Sequence, residues 1–157
     1  MASTAELPLA GRRVAAFESR MAGPMAGLIA KAGGEPVEAP ALREIPLGEN
    51  PEALAFAERL IAGAFDVVIF LTGVGTRYLA QAIETRLPRA AWVEALGRTK
   101  VVIRGPKPLG PLRELGARVD LRAPEPNTSH EILALLDERL PVAGLRVAVQ
   151  EYGAPNP

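Results

Sequence analysis

Five short stretches of this sequence bring together residue types suited to holding an anionic ligand. They are Glu18-Ser19-Arg20, Thr72-Gly73-Val74-Gly75-Thr76, Arg104-Gly105-Pro106 with the run on to Leu109, Asn127-Thr128-Ser129, and Glu151-Tyr152-Gly153. Glycines let a backbone approach a ligand closely, and a helix amino terminus presents unpaired N–H groups that favour carboxylates or phosphates. Arg20 and Arg104 offer guanidinium groups to pair with carboxylates. Together the stretches suit a ligand with several anionic groups. None is a nucleotide motif. Gly73 and Gly75 match the start of a dinucleotide loop, but Tyr78 stands where its third glycine belongs, and no Lys-Ser or Lys-Thr phosphate loop occurs.

Each of these residues also has a plainer role. Thr72 reads equally as a cap at a strand end, and Thr128 and Ser129 as helix caps, a role compatible with holding a carboxylate. Arginine supplies most of the positive charge and usually sits in solvent. The Tyr152 phenol either bonds a ligand or covers an edge of the fold. His130 is the only histidine; following a cap, it reads as a solvated first-turn residue rather than an acid. The sequence contains no cysteine, which removes disulfides, thiolate metal sites and a thiol nucleophile. No catalytic residue is assigned.

Strands alternating with helices must position these stretches. Val14 to Phe17 reads as a strand, followed by Met25, Leu28, Ile29 and Ala32 at helical spacing up to Gly33 and Gly34. Glu35 to Ala39 reads as a second strand. Asn50 as cap and Pro51 at the first helical position open a helix carrying Leu54, Ala57, Leu60 and Ile61. Asp66 to Leu71 is a dense apolar run expected to be buried on both faces. A turn over Gly73 to Thr76, a helix with Tyr78, Leu79, Ala82 and Ile83, and a helical segment around Trp92 come next. The strand Lys100 to Ile103 is followed by a helix with Leu109, Leu112 and Leu115 closed by Gly116, and by a strand over Arg118 to Leu121. Thr128 and Glu131 form a capping box whose helix turns Ile132, Leu133, Leu135, Leu136 and Leu140 toward a core. Leu145 to Val149 is the last strand. The pattern implies an α/β fold with a largely parallel sheet, whose ligands sit beyond the strand carboxyl ends.

The one stretch mixing proline, glycine and charge between two periodic segments, Pro40 to Glu49, marks a domain crossing. It divides the chain into 1–40, the start of a first lobe, 41–150, a second lobe, and 151–157, where a further element is expected because the rhythm calls for another helix. Eighteen basic residues balance eighteen acidic ones across 157 positions, so the basic face required by nucleic acid or an anionic membrane is not expected. The first residues form no basic, apolar leader, and no run of about eighteen apolar residues occurs, so neither export nor a membrane span is expected and the cytoplasm is the default. With lysine only at Lys31, Lys100 and Lys107, and abundant arginine, alanine and proline, the composition suggests a GC-rich or thermophilic source.

The order of these stretches resembles uroporphyrinogen-III synthase. The resemblance rests on the opening strand with Glu18, Ser19 and Arg20 and on the run from Phe65 through Asp66, Val67, Val68, Ile69, Phe70, Leu71 and Thr72 to Gly73. The Arg104-Gly105 strand end, the Gly116 to Val119 step, the helix start over Asn127 to Leu133 and the Leu145 to Val149 strand follow in the family's order. It implies two α/β lobes joined by a two-stranded linker, with residues 151–157 as the start of the return linker and the first lobe, begun here, completed by the segment that follows it. It also implies closure of the linear tetrapyrrole hydroxymethylbilane to uroporphyrinogen III with the last pyrrole ring inverted, by a cofactor-independent lyase acting as a monomer. Substrate contacts are expected from Ser19, Arg20, Thr72, Gly73, Val74, Gly75, Arg104, Gly105, Pro106, Asn127, Thr128, Ser129, Tyr152 and Gly153. Pro108 departs from the family, many members of which place a threonine there. The rival from another class is a non-catalytic α/β small-molecule-binding or regulatory module, since fold alone does not settle function. A flavodoxin-like redox protein would need a Ser/Thr-rich phosphate loop and more aromatic residues.

Overall fold

The computed structural model describes residues 7–41 and 50–151, in two compact units, Met1–Pro46 and Leu47–Pro157. Tyr152 and Gly153, and the proposed crossing beyond Ala41, lie outside the described residues.

In the first unit, strand β1 (Arg13–Ala16) and strand β2 (Glu35–Glu38) pair in parallel, Arg13 opposite Glu35 and Ala16 opposite Glu38, with helix α1 (Ala22–Lys31) between them. The helix ends as its glycines require: Gly33 takes φ +86°, a left-handed conformation costly for other residues. Of the apolar residues at helical spacing in α1, Ile29 is buried, whereas Met25 and Leu28 are exposed, as are Phe17, Met21 and Val37. Helical spacing identified a face, but this small unit does not cover it.

The second unit is a four-stranded, wholly parallel sheet in the order β5-β4-β3-β6. Its strands are β3 (Val67–Phe70), β4 (Lys100–Ile103), β5 (Leu121–Arg122) and β6 (Val147–Val149). The helices are α2 (Pro51–Ile61), α3 (Gly73–Glu84), α4 (Arg89–Gly97), α5 (Leu109–Leu115) and α6 (Ser129–Arg139). Every residue of β3 is buried, and its side chains alternate between two apolar layers. Val68 and Phe70 join a core with residues of α2 to α5, including Leu60, Ile83, Trp92 and Leu112. Val67 and Ile69 join Ile132 and Leu136 of α6 on the opposite face. Burying a side chain such as Phe70 or Leu60 stabilises the fold by about 1.5–3 kcal/mol, so β3 is the structural centre and its carboxyl end is firmly placed.

Three elements differ from the sequence reading. Helix α3 begins at Gly73, so Gly73 to Thr76 is its first turn rather than a separate one: the Thr72 hydroxyl accepts the Gly75 N–H at 3.0 Å and holds those residues helical. The strand expected over Arg118 to Leu121 is the two-residue β5, Leu121–Arg122. Just before it, Asp120 donates its N–H to the Val101 carbonyl at 2.8 Å while its carboxylate accepts the Val101 N–H at 2.8 Å, a side chain replacing one bond of the ladder. In α6, Leu133 is 60% exposed while Ile132 and Leu136 are buried, because consecutive helical positions point 100° apart and only one stripe meets the sheet.

Candidate functional site

Because all four strands of the second unit run in parallel, their carboxyl ends and the turns that follow line one edge of the sheet. Thr72, Gly73, Val74 and Gly75 follow β3, Arg104, Gly105 and Pro106 follow β4, Asn127, Thr128 and Ser129 follow β5, and Gln150 and Glu151 follow β6. Ser19 and Arg20 belong to the first unit. There the Glu18 carboxylate accepts the N–H groups of Arg20 and Met21 at 3.1 and 3.3 Å, which orders the approach to α1.

The turns of the second unit interlock, and glycine permits each contact. A Cβ on Gly73 would run into the backbone carbonyl of Lys107, one on Gly75 into the carboxamide of Gln150, and one on Gly105 into the side chain of Asn127. The sequence reading assigned these glycines to close approach by a ligand. In the structure the space beside each is taken by the protein, so their first role is to let neighbouring turns touch.

Asn127 takes φ +62°, a left-handed conformation that asparagine tolerates better than most residues. Its carboxamide lies 3.2 and 3.3 Å from the carbonyls of Ala123 and Pro124, and with the amide turned so that its nitrogen faces them it donates to both, which fastens the loop leading to α6. The capping box is present: Thr128 N–H donates to Glu131 at 2.7 Å, and the Thr128 hydroxyl accepts from His130 N–H at 3.2 Å. The Thr128 hydroxyl also donates to the Glu131 carboxylate at 2.5 Å, and this bond first, the backbone N–H second, holds the Glu131 carboxyl below its ordinary range. His130 is exposed at this helix start.

At the centre, Thr72 joins β3 to α3. Its carbonyl accepts the hydroxyl of the fully buried Thr76 at 2.7 Å and the Thr76 N–H at 3.0 Å. Gln150, at the end of β6, reaches across to both threonines. Sequence reading included Thr76 in the Thr72 to Thr76 stretch without giving it a contact, and did not single out Gln150. The parallel pairing of β3 with β6, which places Val149 opposite Ile69, is what brings Gln150 to Thr72.

Beside this cluster lies a groove of about 350 Å³ between α2, α3 and β6, lined by Phe56, Tyr78, Leu79, Ala148 and Val149, with Asn50, Glu52 and Glu151 among its polar residues. Two carboxylates there disfavour a polyanion. A ligand rich in carboxylates is better served along the β3, β4 and β5 turns, where Arg104 and Lys107 stand. Among the described residues no group of three or more His, Asp or Glu side chains could hold a metal ion, and no helix is long and apolar enough to cross a membrane.

Comparison with known proteins gives consistent matches. The family model for uroporphyrinogen-III synthase HemD matches residues 23–151. The uncharacterized protein YjjA of Bacillus subtilis (strain 168) is 31% identical over 152 residues, which span 95% of this chain and 54% of that protein. A mutant uroporphyrinogen III synthase from the extremely thermophilic bacterium Thermus thermophilus superimposes with a TM-score of 0.68 at 28% identity, over 94% of this chain and 54% of that one. The wild-type enzyme from the same bacterium gives a TM-score of 0.56 at 26% identity with the same coverage. The chain therefore spans about half the length of the relatives it matches.

Proposed function

We propose a function that proceeds from one fact: this chain belongs to the uroporphyrinogen-III synthase family. In our reading it takes part in closing hydroxymethylbilane to uroporphyrinogen III, inverting the last pyrrole ring, in porphyrin biosynthesis. Residues 1–40 open one lobe and 41–150 form another, and the polypeptide works as a cytoplasmic monomer and a cyclising hydro-lyase without metal or cofactor.

The observation that carries the reading is the interlocked row of turns along the carboxyl edge of the sheet, Gly73 against Lys107, Gly75 against Gln150 and Gly105 against Asn127. Such a row is rigid before any ligand arrives. The substrate loses its hydroxyl to leave an azafulvene-like cation. The substituted position of the last ring then attacks to give a spiro intermediate, whose fragmentation and reclosure invert that ring. Uncatalysed closure gives the uninverted isomer, so catalysis consists chiefly of holding eight carboxylates in the geometry that reaches the spiro product. Fixed donors serve this purpose: the Thr72 hydroxyl, Arg104, and the N–H groups at the starts of α3 and α6. Val74 and Pro106 shape the same edge, Ser129 adds a hydroxyl at the α6 start, and Ser19, Arg20, Tyr152 and Gly153 complete the proposed contacts.

The test is a coupled assay in which freshly generated hydroxymethylbilane is supplied to polypeptide carrying this chain and the oxidised porphyrin isomers are separated. A type III excess supports the synthase. Type I alone at the spontaneous rate favours a non-catalytic binding or regulatory module on the same fold.

A further inference from the structure

The carboxamide of Gln150 has its two ends committed by chemistry. Its Oε1 faces the Thr72 N–H at 3.5 Å, a group that only donates, and its Nε2 faces the Glu151 carbonyl at 3.5 Å, a group that only accepts. This fixes the orientation of the amide, so Nε2 is the atom that points at Thr72 Oγ1, 3.4 Å away. The missing Cβ of Gly75 leaves the room that the amide occupies.

The consequence falls on Thr72. A threonine hydroxyl has one proton to donate and two lone pairs to accept with. Thr72 Oγ1 accepts from Gly75 N–H at 3.0 Å and from Gln150 Nε2, which occupies both lone pairs. Among the described residues no hydrogen bond has the Thr72 hydroxyl as its donor, to Thr76 or to any other group. Thr72 is half-buried and so still within reach of a ligand.

We propose that Gln150 is a positioning residue that makes the Thr72 hydroxyl a dedicated hydrogen-bond donor to an anionic oxygen of the bound ligand. The inference rests on the reading of this edge as a tetrapyrrole site and adds how that site distinguishes an acceptor from a donor. A carboxylate, which only accepts, is bound; a ligand group that must donate at this point finds no free lone pair.

Two measurements test it. The first needs no ligand: the side-chain amide resonances of Gln150 are followed by NMR in the wild type and in Thr72→Val. The Gln150 Nε2 protons should shift when the hydroxyl is removed; resonances that stay in place overturn the proposal. The second is the affinity for uroporphyrin III, which carries the eight carboxylates, across wild type, Thr72→Val, Gln150→Leu and the double variant. Gln150→Leu should weaken binding about tenfold with Thr72 present and leave it unchanged in the Thr72→Val background. Equal losses in both backgrounds assign Gln150 a merely structural role and overturn the proposal. Gln150→Glu, ionised at neutral pH, claims the Thr72 proton for itself. It should bind at least as weakly as Gln150→Leu and recover relative to wild type as pH falls through the ordinary glutamate range. Wild type that fails to bind uroporphyrin III removes the synthase reading, and the NMR result then decides the role of Gln150 by itself.

Discussion

Arg146 binds both carboxylate oxygens of Asp66, its guanidinium reaching Oδ1 at 2.8 Å and Oδ2 at 3.0 Å while its backbone N–H donates to Oδ2 at 2.8 Å. The pair ties the amino ends of β3 and β6 together, at the edge of the sheet opposite the candidate site. The Arg146 side chain, then its backbone N–H, lowers the Asp66 pKa from 3.8 to about 2. A carboxyl whose folded-state pKa is depressed contributes stability that is present above its unfolded pKa and lost as pH falls through the folded one. The contribution is therefore complete above about pH 4 and disappears toward pH 2. In Asp66→Asn, melting temperatures should depend less steeply on pH across that window than in wild type. An unchanged slope would show that the pair does not couple to folding.

Gly73 and Gly75 should respond differently to alanine. At Gly75 the obstacle is the flexible side chain of Gln150, so Gly75→Ala should cost about 1–3 kcal/mol in denaturant unfolding, and Gln150→Ala added to it should recover part of that loss. At Gly73 the obstacle is the Lys107 backbone, so Gly73→Ala should cost more, with Lys107→Ala giving no relief. Equal rescue at both positions would contradict the interlocked turns.

Thr128→Ala removes the acceptor for His130 N–H at the start of α6 and should cost about 1 kcal/mol. Glu131→Gln should cost less, because glutamine also completes a capping box. Urea unfolding of the two variants checks the order.

Trp92, the single tryptophan, is fully buried and its indole N–H has no partner among the described residues. Leaving that donor unsatisfied is costly, so Trp92→Phe gives up packing area but removes the penalty. It should be destabilised by clearly less than the roughly 3–5 kcal/mol expected of Trp92→Ala. Chemical denaturation followed by circular dichroism separates them.

The fold was largely legible in the sequence because its strongest signals are local. The apolar run at β3, Asn50 with Pro51 at the start of α2, the Gly116 stop of α5 and the Thr128–Glu131 capping box each act over a few residues, and each stands where read. β5 was misplaced because Asp120 meets Val101 through its carboxylate, which no alternation of apolar residues signals. Leu133 was read as core, and Met25 and Leu28 as members of a helical stripe, because spacing shows that a face exists without showing how much of it is covered. At the site, the turn residues were visible as glycines and hydroxyls, but Gln150 was not. Its contact with Thr72 spans 78 residues of chain and exists only because β6 pairs beside β3, a matter of strand order that composition and spacing do not encode.

The proposed ring inversion is measured most directly by the isomer composition formed from hydroxymethylbilane. Polypeptide carrying this chain should yield type III in excess of type I, faster than spontaneous closure, and Thr72→Val should reduce that excess. Type I alone, at the spontaneous rate and from folded protein, would contradict the account and leave a binding module on a synthase fold.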